Sequence, residues 1–397
     1  MSGEGLCAKC GACTTVCPVF RVTGRESHGG RGKLHLLSRL DPREASAEYA
    51  GILSRCLLCG ACEAACPRGL KITAAIAAAR GELSRTAGEH AFLRLLARTT
   101  LAHPELTRGV GALARFASAT LPPESGLRLR LGLPATEDAM PSRPAPANND
   151  RPPALAYFAG CFASHLEPEI GRAVAGLCEK SGQPLPVAVS GQGCCGLSAY
   201  AAGDPATAKR LARRNIAAFA GSDAPILVSC ASCLSHLASY PALLADEPAW
   251  EKRATAFASR LTELATFLLA AFKARPATLP QTAPAPRRRV LYHDPCHLRF
   301  QLGITEAPRE LLGRFPQLEP AELPHGPQCC GHGGLFHLAH PQLSTAIRDR
   351  LLGEAGDVEL VTTTCTGCLL QWRQGLATGG RAGKAIHLAL LLHRLLA

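Results

Sequence analysis

"CAKCGACTTVCP", Cys7 to Pro18, and "CLLCGACEAACP", Cys56 to Pro67, are one phrase written twice, 49 residues apart. Both copies read C-x2-C-x2-C-x3-C-P, a ligand run for cubane iron–sulfur clusters. Three cysteines this close let one loop wrap a cluster, and where two such runs occur together the fourth cysteine, before the proline, reaches the other cluster. The spacing predicts one [4Fe-4S] cluster on Cys7, Cys10, Cys13 and Cys66 and a second on Cys56, Cys59, Cys62 and Cys17. Pro18 and Pro67 are expected to turn the chain away and limit its freedom. A zinc site usually shows two CxxC pairs, which is a different pattern.

Composition agrees with metal or redox chemistry. The chain has 397 residues, 47% of them hydrophobic, and 19 cysteines. In a small secreted protein so many cysteines would suggest disulfides. This chain is long and shows no charged segment followed by an apolar one at its start, so a cytoplasmic location is expected. No apolar run reaches the roughly 18 residues that span a bilayer. "LTELATFLLAAF" is broken by Glu263, and "IHLALLLHRLLA" by His393 and Arg394. The net charge of +12 would be offset in part by anionic clusters. No basic run interleaved with aromatics points to nucleic acid.

The remaining cysteines repeat with a longer period. Cys161, Cys194, Cys195, Cys230 and Cys233 become Cys296, Cys329, Cys330, Cys365 and Cys368 on adding 135. Five matches at one offset indicate a tandem duplication. The stretches "ALAYFAG", "PILVS", "RVLYHDP" and "VELVTTT" run into Cys161, Cys230, Cys296 and Cys365, respectively. Each reads as a buried strand that delivers a cysteine past its carboxyl end, where ligands collect in open parallel sheets. Helices are expected over "DPATAKRLARRNIAAFAG", with Asp204 as N-cap and Pro205 at the first position, and over "HPQLSTAIRDRLLGEAG", with Pro341. Cys178 has Gly313 at the matching place. It shares a helix face with Ile170, Val174 and Leu177, which predicts an inert core cysteine.

The segments "PATEDAMPSRPAPANNDRPP" (134–153) and "PATLPQTAPAPRRR" (276–289) read as extended connectors. A helical bridge is expected between Thr86 and Leu133. The fold class expected is α/β: a mainly helical N-terminal domain with two [4Fe-4S] clusters, followed by tandem duplicated α/β domains. The division is 1–86 for the two-cluster ferredoxin-type domain, 87–153 for bridge and linker, 154–275 for the first repeat, 276–288 for a linker and 289–397 for the second repeat.

Five thiolates exceed what one cubane needs. An adjacent pair is badly placed to cap two corners of a compact cube but suits an opened cluster. A redox disulfide, or a cubane with one idle thiol, remains open on spacing alone. Gly196 and Gly331 are expected to let the backbone pass close to the cluster. The five-cysteine unit resembles the CCG domain of heterodisulfide reductase subunits and related oxidoreductases, a family in which paired CCG domains can hold noncubane [4Fe-4S] clusters. The whole layout, two ferredoxin runs and two CCG repeats, resembles the iron–sulfur subunits of glycolate oxidase and related D-lactate dehydrogenases. "CPVFRVTGRESHGGRGKLHLL", "YHDPCHL", "APRELL", "CCGHGGLFHLAHP", "GCLLQWRQGL" and "IHLALLLHRLL" carry that resemblance.

The resemblance implies one further [4Fe-4S] cluster, noncubane in type, on each CCG domain. It also implies an oxidoreductase subunit that passes electrons from an FAD-containing dehydrogenase subunit to quinone or a membrane electron acceptor, at the inner face of the membrane. In one respect the chain departs from the glycolate oxidase subunit. That subunit has Asn-Pro-Gly-Cys where this chain has Cys365-Thr-Gly-Cys368, so the ligand set here is intact. The departure points toward members with two complete sites, whose chemistry is reduction of a disulfide or thiol-linked substrate. No G-x-G-x-x-G is read after a strand and no C-x-x-C-H occurs, so no flavin or nicotinamide fold and no haem c attachment is expected. Catalytic residues are not assigned. His165, Asp294, His297, His332 and His337 are expected beside the CCG cysteines as groups that orient ligands. A sharper alternative makes His297 or His332 a proton donor. Arg31, in "GGRGK", is expected to tune a cluster, contact a partner or simply lie in solvent.

Overall fold

The computed structural model describes residues 7–83, 109, 153–279, 287–381 and 383–396. Nearly all of the expected bridge and of the connector before the first repeat, and part of the second connector, lie outside the described residues.

Residues 7–83 are helical, with no strand among the described residues. Pro18 does not simply turn the chain away. It takes the first position of helix Pro18–Thr23, where a missing N–H costs nothing. Ser46 caps helix Ala47–Ser54 by accepting from Tyr49 N at 3.2 Å, and helix Ile72–Leu83 follows the second cysteine run.

Two four-stranded parallel sheets follow. Strands β1 (Ala156–Phe158), β2 (Val187–Ala188), β3 (Ile226–Val228) and β4 (Leu261–Glu263) lie in the order β2-β1-β3-β4. Strands β5 (Arg288–Tyr292), β6 (Leu318–Ala321), β7 (Leu360–Thr363) and β8 (Lys384–His387) repeat it as β6-β5-β7-β8. The register repeats as well: Ala156 pairs with Ile226, and Leu291 with Val361. The constant offset ends after the last cysteine, because the first repeat inserts helices Tyr240–Leu243 and Pro248–Ala258 before β4.

The helices start where the sequence signals them. Asp204 accepts from Thr207 N at 3.2 Å and caps Pro205–Ala218, a contact worth about 1 kcal/mol. Pro341 opens Pro341–Ala355. Cys178 is fully buried with Ile170, Val174 and Leu177 on helix Pro168–Lys180, in a core shared by both repeats, since it also contains Leu268, Phe272, Phe315 and Leu391. Arg373 of the second repeat pairs with the buried Glu167 of the first, and His387 Nε2 donates to Ser229 O at 3.0 Å. The two repeats are therefore one packed body.

The helical part sits directly on that body. Val19 and Leu57 pack with Phe336 and Ile347. Arg80, buried, donates to the carbonyls of Leu53, Ser54 and Cys56 and, at 2.7 Å, to that of Ala201. Gln301 Nε2 donates to Leu58 O at 3.0 Å while its Oε1 accepts from Ser235 Oγ at 2.5 Å. Gln301 thus ties the second cysteine run to both repeats. No helix among the described residues is long and apolar enough to cross a membrane.

Candidate metal centres

The cysteine loops of the helical part share one backbone shape. Gly11 and Gly60 have φ of 84° and 83°, and Lys9 and Leu58, two residues earlier, have 53° and 52°. These left-handed residues curl each loop so that its three thiols converge. One pocket is lined by Cys7, Cys10, Cys13 and Cys66, and another by Cys17, Cys56, Cys59 and Cys62. Each pocket takes three thiols from one run and the fourth from the other.

The pockets differ in surroundings. Cys10 is exposed, whereas Cys59 and Cys62 are buried. Burial pushes the Cys17 thiol up to about 11 and raises Cys62 as well. Such thiols release their protons only to a strong cation, which is what iron supplies. Lys33, 1% exposed, lines the second pocket and donates to His28 O. Burial lowers its pKa, and the Cys56, Cys17 and Cys62 thiolates oppose that shift. Arg31 is engaged elsewhere: Nε pairs with Glu26 at 2.6 Å and Nη1 donates to Lys9 O at 2.9 Å, bracing the first loop.

In the repeats, strand ends deliver the thiols. Cys161 follows β1, and Cys230 follows β3 and caps helix Ala231–Ala238. Cys296 follows β5, and Cys365 follows β7 and caps helix Thr366–Thr378. All ten repeat cysteines line one cavity of about 200 Å³ between the two sheets. Two sets are thus brought to one place instead of to two separate ones. Cys161 neighbours Cys194, Cys194 neighbours Cys195, Cys195 neighbours Cys233, and Cys233 neighbours Cys230. Cys296, Cys329, Cys330, Cys368 and Cys365 form the same succession. Cys230 reaches Cys365, its own equivalent, so the axis relating the repeats passes between them. At the other end Cys59 reaches Cys329. All nineteen cysteines are free of disulfides in this structure.

Gly196 and Gly331 have φ of 92° and 85°, but the close approach is not toward the cavity. A Cβ on Gly331 would meet Ser344 O at 2.9 Å, in the helix behind it. Their N–H groups instead point at Cys194 Sγ (3.4 Å) and Cys329 Sγ (3.5 Å), contacts that favour thiolates. Ser232 and Thr366 add hydroxyl contacts to Cys365 and Cys230, each at 3.3 Å. This donor set, thiolates with polar groups aimed at sulfur in a buried cavity, fits iron–sulfur clusters.

Of the polar residues expected near the cavity, His297 and His332 line it. His297 Nδ1 is 3.6 Å from Cys296 Sγ. His332 stacks on His337 at 4.3 Å, and His337 Nδ1 bonds Gly334 O at 2.5 Å. Burial lowers His297 to about 4, so it stays neutral near pH 7. Asp294 instead forms a bidentate pair with Arg309, at 2.8 and 2.5 Å, and is a structural anchor. His165 ends helix Gly160–His165 and does not line the cavity.

A G-x-G-x-x-G spacing does occur after a strand. Gly191-Gln-Gly193-Cys-Cys-Gly196 follows β2 and has the glycine spacing of a dinucleotide fingerprint. Yet β2 has two residues at the sheet edge and the helix after it, Leu197–Ala201, has five. A pyrophosphate site needs the first strand and a full helix N-terminus, so the pattern here belongs to the cysteine pair. Sequence reasoning also missed Lys33, Gln301 and His293. Lys33 lies two residues beyond Arg31 in a stretch already singled out, and a lysine facing a ligand loop from one helix turn was the available signal.

Comparison with known proteins agrees with this architecture. The 4Fe-4S dicluster domain family matches residues 5–70, and the cysteine-rich domain family, CCG, matches 155–238 and 290–373. The chain is 29% identical to the probable glycolate oxidase iron-sulfur subunit of Bacillus subtilis, over 98% of this chain and 94% of that protein. It is 27% identical to the glycolate oxidase iron-sulfur subunit of Escherichia coli, over 94% and 90%. Lactate utilization protein A of Shouchella clausii is 31% identical over 60% of this chain and 98% of its own length.

Proposed function

Because the chain belongs to the family of iron–sulfur subunits that includes those of glycolate oxidase and the lactate utilization proteins, we propose that it conducts electrons away from an FAD-containing dehydrogenase subunit acting on a 2-hydroxyacid. Quinone or another carrier at the inner face of the membrane takes them. Cys7, Cys10, Cys13 and Cys66 hold one cubane, and Cys56, Cys59, Cys62 and Cys17 the other. The five cysteines of each repeat hold one further [4Fe-4S] cluster. Iron–sulfur clusters exchange single electrons, whereas a hydroxyacid gives up two, so the flavin takes the pair.

The observation that carries this reading is the succession of thiols from the buried loop through both repeats. Cys59 meets Cys329, the second set meets the first through Cys365 and Cys230, and the exposed Cys10 end faces outward. Burial and packing hold these sets at fixed separations, while Gly196 N, Gly331 N, Ser232 and Thr366 stabilise the thiolates. The test uses the purified, iron-loaded chain with lactate or glycolate and a dye. Alone it should reduce no dye; with its flavoprotein partner it should. Cys329→Ser should weaken onward transfer without abolishing flavin reduction. Oxidation of a hydroxyacid by the chain alone would end this reading.

A second reading has one observation in its favour. The cavity brings both complete cysteine sets together, as reduction of a disulfide or thiol-linked substrate at paired centres would require. Disulfide reduction by the chain alone, with a low-potential donor, would put this reading first.

A further inference from the structure

The two repeats carry the same five cysteines, but the residues around them differ, at His297 and Phe162, at His332 and Leu197, and at one strand end. His293 follows β5, and its N–H donates to Thr362 O at 2.8 Å, continuing the ladder to β7. The shared register makes Phe158 its counterpart, since Ala156 pairs with Ile226 as Leu291 does with Val361. In the first repeat, then, an apolar ring stands here and packs against Phe219 at 6.1 Å. In the second repeat an imidazole stands here, 1% exposed, and neither of its ring nitrogens has a hydrogen-bond partner among the described residues. Trp372 holds the imidazole edge-on at 5.6 Å, and its own indole N–H is likewise unpartnered. The residue matching Trp372 in the first repeat is Leu237.

A buried imidazole carries a donor that must find an acceptor. A ring nitrogen of His293, Cys330 Sγ and Cys368 Sγ all lie within 4.8 Å of one another, and the two sulfurs are 3.5 Å apart. The acceptor in that direction is sulfur. Five thiolates already exceed the four corners of a cubane, so the imidazole is not needed as an iron ligand, whereas its N–H fits a sulfur acceptor. We propose that His293 donates its ring N–H to a sulfur of the centre held by the second repeat, at Cys330 or Cys368, and thereby keeps that centre at a higher reduction potential than its twin in the first repeat. A hydrogen bond to sulfur stabilises the added electron, and Phe158 supplies none. The duplication thus yields two centres with one ligand set and unequal affinities for an electron. His293 is a positioning residue that acts through sulfur.

This inference rests on the reading that the second cysteine set holds a cluster, which iron content and the cluster spectrum of the unaltered protein test separately. Redox titration of the iron-loaded chain, followed by electron paramagnetic resonance, tests the inference itself. His293→Phe copies the first repeat. At a fixed potential it should lower the reduced fraction of one centre about tenfold, equivalent to about 59 mV for a one-electron couple. Phe158→His should raise the other centre, and His293→Asn, which keeps an N–H, should shift less than His293→Phe. Full iron content with an unchanged titration in His293→Phe would overturn the proposal. If that variant fails to load iron, His293→Gln carries the test in protein labelled with 15N-histidine. Loss of a weak nitrogen coupling seen in the unaltered protein is expected. An unchanged spectrum, or a lost coupling as strong as a direct iron–nitrogen bond gives, would overturn it.

Discussion

Lys9 and Leu58 occupy the same place in the two ferredoxin-type loops and take the same left-handed backbone, yet one lies in solvent and the other is buried. The first loop keeps Cys10 exposed, with Lys9, Arg31 and Arg68 around its pocket. The second loop is covered by the repeats, with Leu57 packed beside Phe336, Cys59 touching Cys329 and the buried Lys33 against its pocket. A charge held in the dry interior acts on its neighbour far more strongly than one in water. Identical ligand runs therefore do not make identical centres. With Lys33 beside it, the buried centre is expected to gain affinity for an electron.

The largest effect expected is loss of a whole centre. Cys17→Ser should remove the centre of the buried loop, with Cys56, Cys59 and Cys62, and leave the exposed one. Iron should fall by about a quarter from roughly sixteen per chain if all four sites hold [4Fe-4S] clusters. Damage confined to the Cys7 loop in site-resolved spectra would break the comparison at its root. Next in size is Lys33→Met, which removes the buried cation. The reduced fraction of the buried loop's centre should drop about tenfold at fixed potential, or about 59 mV, without loss of iron. Equal shifts in both loops would show that Lys33 does not distinguish them. Gln301→Ala removes one hydrogen bond to the buried loop, at Leu58 O, and one between the repeats, from Ser235 Oγ. We expect a loss of about 1–2 kcal/mol in stability, read as a lower melting temperature, with a few-fold slower transfer into the CCG cavity. Unchanged transfer would assign Gln301 to stability alone. Smallest is Lys9→Glu on the exposed loop. Its effect on potential should be well below that of Lys33→Met and should fade as salt rises toward ~1 M, where the screening length is about 3 Å. A large, salt-insensitive effect would mean that a partner or packing covers this loop.

Much of the fold and the ligand inventory was legible in the residues. Ten of the cysteines were located by a single addition of 135, because a duplication preserves spacing where thiols must converge. The four strands that run into Cys161, Cys230, Cys296 and Cys365 were legible because buried parallel strands are short, apolar and β-branched. Asp204 and Pro341 marked helix starts by local chemistry that needs no tertiary partner. Other features were not legible. Asp294 looked like a ligand-orienting group, but Arg309 lies fifteen residues away and meets it only after the helix Glu306–Gly313 folds back. Gly331 was read as making room for a cluster, when the crowding comes from helix Pro341–Ala355 behind it. His293 stood in the quoted "YHDPCHL" without attracting notice. The offset of 135 matches it to Phe158, but its burial without a hydrogen-bond partner among the described residues is a tertiary fact that spacing does not show.

What the sequence by itself determined is the chemistry: eight thiols in two loops, five more in each repeat, and the strand ends that carry them. Ligand runs and strand patterns are local, and local geometry follows from nearby residues. Only the tertiary structure decided how these parts are joined. It placed both repeat sets in one cavity, set Cys230 against Cys365 and Cys59 against Cys329, and buried Lys33 and His293 while leaving Cys10 exposed. Those contacts join residues 135 positions apart, as Cys230 and Cys365 are, and 270 apart, as Cys59 and Cys329 are. Such pairs arise when apolar faces of separate elements are driven together, and no spacing rule along the chain records which faces will meet.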